Sequence, residues 1–574
     1  MKRLRPYLIP LFLVFLVFGV YANSLNNGFV SDDIPGIVNA GPTWTWKYVF
    51  TNIIFLTRWT GIIPFILYQL TGPAPWAYRL VNITCHAVSV ILIYKIVFQL
   101  VRSPLQVPDG TWLRQRWIAF IAASLFAVHP IIIESVTWIS GGIYAQYGMV
   151  FLLSFWLYLK SRGQGTMSRG QKAGDNEQGT ISRGQMGYYV ASFFIYCVSL
   201  LFSEKAGVLF LLFFLYEFCF GNLKNNWRKL MPYFIVSCIF ILFYVTKIGG
   251  RIDGVSMRNG ISESSFYNPL IQLPVAFSSY FYIIFWPKDL TLYHQEVPIV
   301  GTTDYVFRVL TVCVYIFGII FTALKNRTLC FWFVWFFIPL IPTITPLKIA
   351  WVVAERYVYL SVIGIFVLIA YVFDWVINIF IYNIAGGAGR GAPKKGSPCG
   401  YSWEKTRDRT RLSLQYFIIV FICAILVSLS FRTIVRNRDW QNEDTLWIAT
   451  SKTSPSVPFT WNNMGDVYSR RGDLKKAAEM FQRAISLNPH YADAYHNLAE
   501  TYRDMGETGD AILMYEKALV FNPNLWQSNG ALAEIYYNKK DYQTALLHIE
   551  EALVSVPGNQ MLLQARERLR SLED

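Results

Sequence analysis

The sequence predicts an all-α protein, in which a helical membrane domain with many spans is followed by an array of helical repeats. Long apolar runs occupy most of residues 7–431, and only 15% of the 574 residues are charged, whereas a soluble globular chain carries about 25%. After position 455 the sequence becomes polar, and prolines recur every 34 residues. The first pattern is typical of a polytopic membrane protein and the second of a helical solenoid.

Eleven apolar runs are predicted to cross the membrane, although several are short for the roughly 20 residues that a spanning helix needs. They are residues 7–22, 77–100, 117–137, 143–159, 188–203, 207–220, 231–247, 303–323, 329–345, 357–382 and 413–431. The first run follows basic residues, as in a signal peptide, but no small-residue cleavage site follows it. We therefore expect it to remain as the first span.

The distribution of positive charge predicts the orientation. The net charge is +15, and most of the basic excess lies between apolar runs, where it marks the cytoplasmic side and does not indicate a nucleic-acid-binding surface. The N-terminus is thus predicted to be cytoplasmic and the repeats extracytoplasmic. A further apolar piece, residues 270–286, would reverse every later loop if it were a span. We expect it to lie in the interface or to re-enter from the outer side.

Residues 1–432 form the predicted membrane domain, with two polar insertions expected to be disordered cytoplasmic loops. Residues 161–187 repeat Ser-Arg-Gly-Gln, and residues 384–412 are rich in glycine and basic residues. The second insertion lacks the Gly-Lys-Ser/Thr ending of a phosphate-binding loop. Seven of the eight cysteines lie in apolar runs and the eighth in a basic loop, a pattern that does not indicate a disulfide framework.

Self-similarity at 34 residues predicts tetratricopeptide repeats in residues 458–574. The positions that keep this spacing include Pro489, Pro523 and Pro557, and Tyr468, Tyr502 and Tyr536. Three units are followed by a charged helix expected to cap the stack. Residues 433–457 are expected to form a linker and a degenerate half-repeat. Such an array binds peptides or proteins on its concave face, so an acceptor or partner protein is expected there.

Charged and polar residues gather in the segments predicted to lie outside. They are Asp32, Asp33, Arg58, Arg79, Asn82, His86, His129, Glu134, Lys348, Glu355, Arg356 and Tyr357. A charged side chain at membrane depth costs about 2.5–3.5 kcal/mol, so we expect these residues to face one wet cavity. The alternatives are interfacial anchors and internal salt bridges for the charged groups, a turn or helix cap for the Asp32–Asp33 pair, and an interhelical hydrogen bond for His86.

This set of groups is suited to sugar transfer from a lipid phosphate. A carboxylate can deprotonate or orient an acceptor hydroxyl, and the candidates are Asp32, Asp33 and Glu134. Cationic groups can hold the donor phosphate, and the candidates are Arg356, Lys348, Arg79 and His129. The remaining polar residues would line the cavity. Whether a divalent cation, Mg²⁺ or Mn²⁺, takes part is left open, with Asp33 and Glu134 as its candidate ligands.

Five segments carry a resemblance to a known family: NSLNNGFVSDDIP (23–35), HPIIIESVTW (129–138), YFYIIFWPKDLTLY (280–293), AERYVYL (354–360) and RNRDWQNEDTLW (436–447). In this order, and followed by the repeats, they resemble the transmembrane and tetratricopeptide repeat O-mannosyltransferases, which are GT-C membrane glycosyltransferases. The resemblance implies an inverting transferase that moves mannose or another hexose from a polyprenyl phosphate to hydroxyl groups, at Ser or Thr, of exported proteins.

The resemblance also implies roles for residues. One of Asp32 and Asp33 would orient or deprotonate the acceptor, His129 and Glu134 would belong to the second-loop motif, and Glu355 and Arg356 would lie near the donor phosphate. The chain departs from the family at Gly141-Gly142, where the family tends to carry a charged pair. Its repeat array is shorter than that of the animal members, which favours a bacterial relative in the inner membrane with periplasmic repeats.

Other functions are compatible with parts of this pattern. A non-enzymatic membrane anchor for the repeats would leave the many spans unexplained. A glycan ligase with a diphosphate-linked donor, or a transporter, would also use polar groups in a membrane cavity. Transporters tend to show inverted repeats, and no internal symmetry is apparent here.

Overall fold

The computed structural model describes residues 7–47, 59–101, 111–163, 183–259, 269–292, 294, 301–344, 353–386 and 398–573. Two of the expected site residues, Arg58 and Lys348, lie outside these ranges. Within them the secondary structure consists of α-helices and short 3₁₀ or π turns, without a strand. The all-α expectation is therefore confirmed.

Within the described residues, fourteen helices belong to the membrane domain. They are α1 (Leu8–Tyr21), α2 (Trp59–Thr71), α3 (Pro75–Leu100), α4 (Thr111–Val128), α5 (Ile133–Val136), α6 (Ile143–Ser161), α7 (Arg183–Phe202), α8 (Phe210–Cys219), α9 (Leu223–Asn259), α10 (Pro269–Phe285), α11 (Gly301–Lys325), α12 (Arg327–Phe337), α13 (Val362–Gly386) and α14 (Pro398–Arg436).

The structure does not confirm eleven spans. Among the described residues, seven helices are long and apolar enough to cross a membrane, and an eighth candidate is a pair of helices, 114–128 and 130–136, bent by 56°. The other expected spans correspond to shorter helices, including α8, α12 and the apolar part of α13. The ambiguous piece forms α10, whose 17 residues contain Pro274. It belongs to the shorter apolar helices and packs against α11.

Burial distinguishes the interior helices from those at the periphery. Helix α3 packs against α1, α4 and α6, and most of its residues are buried. Helix α11 instead exposes a long apolar face that includes Val314, Phe317 and Leu324. An apolar helix surface of this size is stable when it faces lipid.

The expected disorder of the second insertion does not extend over its whole length. Residues 398–412 belong to α14, which continues to Arg436 without a break. The sequence here has acidic and basic residues three positions apart, a pattern typical of helices. Residues 183–187 of the first insertion likewise form the beginning of α7.

The C-terminal region consists of antiparallel helix pairs, as the 34-residue period predicts. They are α15 (Glu443–Thr453), then α16 (Pro458–Arg470) with α17 (Leu474–Leu487), α18 (Ala492–Asp504) with α19 (Thr508–Phe521), and α20 (Trp526–Asn538) with α21 (Tyr542–Ser555), followed by α22 (Gln560–Glu573). Helix α15 packs on α16, and α22 covers α21 at the other end. Three full repeats therefore lie between two covering helices.

Candidate functional site

The loop after α1 (residues 22–47, the first loop), the loop between α4 and α6 (residues 129–142, the second loop), the segment before α13 and the end of α14 meet at one end of the membrane domain. Asn437 connects the first two loops with the end of α14. Its side chain donates to the Val20 carbonyl (3.0 Å) and to Asn23 Oδ1 (2.8 Å) and accepts from the Thr137 hydroxyl (2.7 Å). Its backbone carbonyl accepts from Asn27 Nδ2 at 2.8 Å. Asn437 is fully buried, so the first loop, the second loop and α14 are held together by a satisfied polar network.

Asp33 joins the first loop to the second. Its Oδ1 accepts from the Ser140 amide (2.8 Å) and the Ser140 hydroxyl (2.5 Å), and its Oδ2 accepts from the Val30 amide (3.3 Å). Burial raises the pKa of Asp33 to about 6, while the hydrogen bonds from Ser140 and Val30 and the charge of Arg79 oppose the shift. The carboxylate is thus largely occupied by protein donors.

Asp32 lies in a different environment, although it is the next residue in the chain. Its side chain is exposed, whereas that of Asp33 is buried. Beside it, the Ser31 amide donates to Glu443 Oε1 at 3.3 Å, which places this part of the first loop against the first turn of α15. Of the two acids, Asp32 is the one that a substrate can reach without displacing other groups.

Arg79, expected at the donor phosphate, is bound to backbone carbonyls. Its guanidinium donates to Thr137 O at 2.9 Å and to the carbonyls of Asn27 and Gly28. The side chain is completely buried in α3. In this arrangement Arg79 fixes the first and second loops relative to α3.

Glu134 and Arg356 form a buried ion pair between the second loop and the segment before α13. The guanidinium donates to Glu134 Oε1, and the Arg356 amide donates to Oε2 at 2.9 Å. The same guanidinium lies 5.4 Å from the Trp138 ring and 5.2 Å from the Tyr357 ring. A second cation, Lys205 Nζ, lies 3.8 Å from the Tyr357 ring, so two positive charges flank one aromatic side chain.

Glu355 forms a second buried ion pair. Arg436 Nη2 donates to its Oε1 (2.8 Å) and Oε2 (2.9 Å), and His294 Nε2 lies 3.3 Å from Oε1. Trp440, one turn after Arg436, stacks on Trp138 with ring centroids 5.7 Å apart. The two ion pairs are therefore joined through adjacent residues of one segment and through this aromatic stack.

The remaining expected site residues make internal contacts. His129 Nδ1 accepts from the Ile131 amide (3.2 Å), and its Nε2 lies 3.0 Å from the Ile284 carbonyl. His86 Nδ1 lies 3.0 Å from the Tyr359 hydroxyl. Asn82 Oδ1 accepts from Gln146 Nε2 at 2.9 Å. All three are buried, and the contact of His86 is a hydrogen bond within the protein, the kind of role considered for it as an alternative.

The departure at Gly141-Gly142 has a steric reason. A Cβ atom on Gly141 would lie 2.1 Å from the Glu134 carbonyl oxygen, and one on Gly142 would lie 1.9 Å from the Asn82 side-chain nitrogen. The second loop here packs against α3 and against its own preceding turn at a distance that only glycine permits. A charged pair at these positions is incompatible with this arrangement.

Sequence reasoning did not single out Ser140, Arg436 or Asn437. Arg436 and Asn437 could have been found from the sequence, because they are polar residues shortly after an apolar run and lie within a motif used for the resemblance. Ser140 gave no comparable signal, since serine is common in loops and its importance comes from a contact 107 positions away along the chain.

The residues named for a metal do not fit one. Asp33 is bound by Ser140 and Val30, and Glu134 is bound by Arg356. Across the described ranges no group of three or more His, Cys, Asp or Glu side chains has a metal-binding arrangement. The chemistry below therefore takes no step through a metal.

Comparison with known proteins agrees with this architecture. Tetratricopeptide repeat family models match residues 456–519 and 496–560. The chain is 22% identical over 528 residues to the protein O-mannosyl-transferase TMTC3 of Mus musculus, which covers 83% of this chain and 51% of the mouse protein. It is 22% identical over 535 residues to Tmtc3 of Drosophila melanogaster, covering 81% of this chain and 54% of that protein.

A shorter stretch of the chain matches another relative with higher sequence identity. The chain is 33% identical over 163 residues to the protein O-mannosyl-transferase TMTC1 of Homo sapiens, covering 25% of this chain and 17% of the human protein. The chain spans about half the length of the TMTC3 relatives it matches.

Solved structures give only weak superpositions. The crystal structure of MamA covers 32% of this chain and 91% of its own, with 18% identity and a TM-score of 0.19. The crystal structure of the APC/C hetero-tetramer Cut9-Hcn1 covers 80% of this chain and 90% of its own, with 13% identity and a TM-score of 0.23. Over most of its length the chain is similar to the TMTC protein O-mannosyl-transferases, and its C-terminal part matches tetratricopeptide repeats.

Proposed function

We propose that this protein is a membrane glycosyltransferase that moves mannose or another hexose from a polyprenyl phosphate to a Ser or Thr hydroxyl of an exported protein. The names of its relatives support the class of reaction. The observation that carries the proposal is the convergence of Asp33, Glu134 and Glu355, from three separate loops, with Arg356 and Arg436 at one end of the membrane domain.

Asp32 is the proposed base. In the transfer, the acceptor oxygen attacks C1 of the sugar, the bond between C1 and the phosphate oxygen breaks, and the hydroxyl proton passes to a carboxylate. An exposed carboxylate can accept this proton directly, whereas the buried Asp33 already binds three donors. Asp33 is therefore assigned to positioning the first loop, with Ser140 as its partner.

Arg356 is the proposed contact for the donor phosphate. Negative charge develops on the phosphate as the C1–O bond breaks, and a fixed guanidinium stabilises it. Glu134 and the Trp138 ring hold this guanidinium in place. Lys205, whose Nζ lies 3.8 Å from the Tyr357 ring, can supply a second positive charge. Arg79 and Arg436 are already bound to carbonyls or to Glu355 and act as positioning residues.

The extracytoplasmic placement of the site and of the repeats is part of the same proposal. It follows from the distribution of basic residues between apolar runs in the sequence. The contact between Ser31 and Glu443 supports placing the first loop and the repeat region on the same side of the membrane.

The test is a transfer assay with the purified full-length chain in lipid vesicles, with a labelled polyprenyl-phosphate mannose and a Ser/Thr peptide. Asp32→Asn should lower kcat by about 100-fold or more, the range for loss of a general base. Asp33→Asn should lose less, because the amide oxygen still accepts from Ser140. The control is Asp504→Asn, an exposed acid at the end of α18. Unchanged turnover in Asp32→Asn would remove its assigned role.

A further inference from the structure

A cavity lies between the membrane domain and the repeats, beside the charged cluster that Glu134, Arg356, Glu355 and Arg436 form. It has a volume of about 560 Å³ and is lined by residues of α10 and α11, by Asp289, Thr291 and His294, and by the junction of α15 with α16. This volume is within the range of about 300–1,000 Å³ found for ligand sites. We refer to it as the junction cleft.

The walls of the junction cleft combine hydroxyl groups with two exposed rings. Ser278 and Ser279 of α10 face Thr453 and Ser456 at the junction of the repeats. The rings of Tyr282 and Phe307 belong to the same lining and are more than half exposed. Hydroxyl groups can hydrogen-bond to a polypeptide backbone and to Ser or Thr side chains, and the rings offer apolar contact area.

The charges of the junction cleft disfavour a phosphate. Its guanidinium, from Arg308, is bound by Asp304 Oδ2 (2.9 Å) and by the hydroxyls of Ser278 (3.2 Å) and Ser279 (3.3 Å). Asp289 adds a second carboxylate to the lining. Among the described residues of the lining, the two carboxylates outnumber the one guanidinium, which favours a neutral or basic ligand over an anionic one.

The cleft connects the charged cluster with the repeats. His294 lines it and lies 3.3 Å from Glu355. Thr291 and Ser454 also line the cleft, and their hydroxyls are 2.6 Å apart, which fastens the membrane domain to the end of α15. The other end of α15 touches the first loop through Glu443 and Ser31. The 11 residues of α15 span about 16 Å, a distance that about five extended residues cover.

We propose that the junction cleft binds the acceptor polypeptide, as an extended segment that is rich in Ser and Thr and free of acidic residues. This rests on the proposed transfer to a protein hydroxyl. The segment lies in the cleft and continues along α15, so that a neighbouring hydroxyl reaches Asp32. The lipid-linked donor binds elsewhere, at Arg356, because the charge of the cleft excludes its phosphate.

The experiment measures binding of a fluorescent Ser/Thr peptide without acidic residues to the full-length chain in lipid nanodiscs, without any sugar donor. Ser456→Trp places a large side chain in the cleft at an exposed position and should weaken peptide binding by about tenfold or more. Thr453→Trp, at the neighbouring exposed position, should do the same. The matched control is Ser486→Trp, exposed on α17 and outside the lining, which should bind as the unmodified chain does.

Three results would overturn the proposal. One is unchanged peptide affinity in both tryptophan variants, and another is an equal loss in Ser486→Trp. The third is competition between the peptide and polyprenyl phosphate, which would make the cleft a donor site. Because the assay needs no turnover, it can succeed even if sugar transfer is absent. Conversely, transfer with an unchanged acceptor KM in Ser456→Trp would remove the cleft and leave the proposed function standing.

Discussion

Asp32 and Asp33 show how two identical neighbours acquire different roles from their surroundings. The sequence placed both in a turn after an apolar run but could not distinguish them. Burial raises the pKa of Asp33 to about 6, against the opposing effect of the hydrogen bonds from Ser140, and Asp32 stays exposed. The distinction depends on a contact between the first and second loops, and no local pattern in the sequence encodes that contact.

Gly142 provides a test at the scale of one methyl group. Gly142→Ala places a Cβ 1.9 Å from the Asn82 side chain, so the second loop or Asn82 must move. Such overpacking costs about 1–3 kcal/mol, and we expect sugar transfer to fall because Ser140 and Asp33 shift with the loop. The measurement is the transfer rate per folded molecule.

Two further variants test whether the steric clash causes the loss of transfer in Gly142→Ala. Gly530→Ala, where a Cβ would meet no atom within 4 Å, should transfer normally. Adding Asn82→Ala to Gly142→Ala removes the clashing amide and should recover part of the rate. If the double variant recovers nothing, the steric explanation is wrong.

At the residue scale, the sequence predicted which side chains are unusual better than it predicted their function. Glu134 and Arg356 were expected to face one cavity because both are charged residues in apolar segments, and they form a direct ion pair. Arg79 and His129 were expected at the donor phosphate, yet their polar atoms contact backbone carbonyls and amides. An arginine in an apolar helix looks the same in sequence whether it binds a ligand or a loop.

At the scale of helices, periodicity was the most informative signal. The 34-residue repeat gave the three helix pairs between Pro458 and Ser555 because each unit is defined by short-range packing. The number of spans was not recoverable in the same way. Short apolar helices such as α8 and α12 resemble weak spans in composition, and their actual length depends on the turns that end them.

Comparison of the three repeats shows one residue with a strained backbone conformation. The turn inside each unit carries a left-handed residue, with φ of 78° at Gly472, 83° at Gly506 and 63° at Lys540. A residue with a Cβ pays about 1–2 kcal/mol for this conformation. Lys540→Gly should therefore stabilise the third repeat by about 0.5–1 kcal/mol, after the loss of chain entropy is subtracted.

The measurement is hydrogen–deuterium exchange of α21 in the full-length chain, which should slow in Lys540→Gly. Lys539→Gly is the matched control, because Lys539 has φ of −78° and gains nothing from glycine. Faster or unchanged exchange in Lys540→Gly would show that the left-handed residue does not limit the stability of this repeat.

At the scale of the whole molecule, the first loop, the second loop and the beginning of the repeat region form one polar assembly around Asn437. The sequence predicted that outer loops converge, but it did not predict that residues 436–443 would provide the connection. Asn27 and Asn437 are 410 positions apart and bind directly. Contacts of this range are set by the packing of α1, α3 and α14 and have no signature within either segment.

Two buried carboxylates at opposite ends of the membrane domain permit a direct comparison. Glu134 pairs with Arg356 in the candidate site. Glu217 pairs with Arg162 (2.9 Å) and accepts from the Tyr158 hydroxyl (2.8 Å). Arg162 follows the far end of α6, whose 19 residues extend about 28 Å from the second loop. Both carboxylates are buried and paired with an arginine, but only Glu134 lies in the proposed site.

The most direct test of the account is the rate of sugar transfer by Glu134→Gln and Glu217→Gln, each measured per folded molecule in lipid vesicles. Glu134→Gln should transfer at least about 100-fold more slowly, because Arg356 loses the ion pair that orients its guanidinium toward the phosphate. Glu217→Gln should lose stability but keep its rate. Full activity in Glu134→Gln, or an equal loss of activity in both variants, would contradict the assignment of sugar transfer to this cluster.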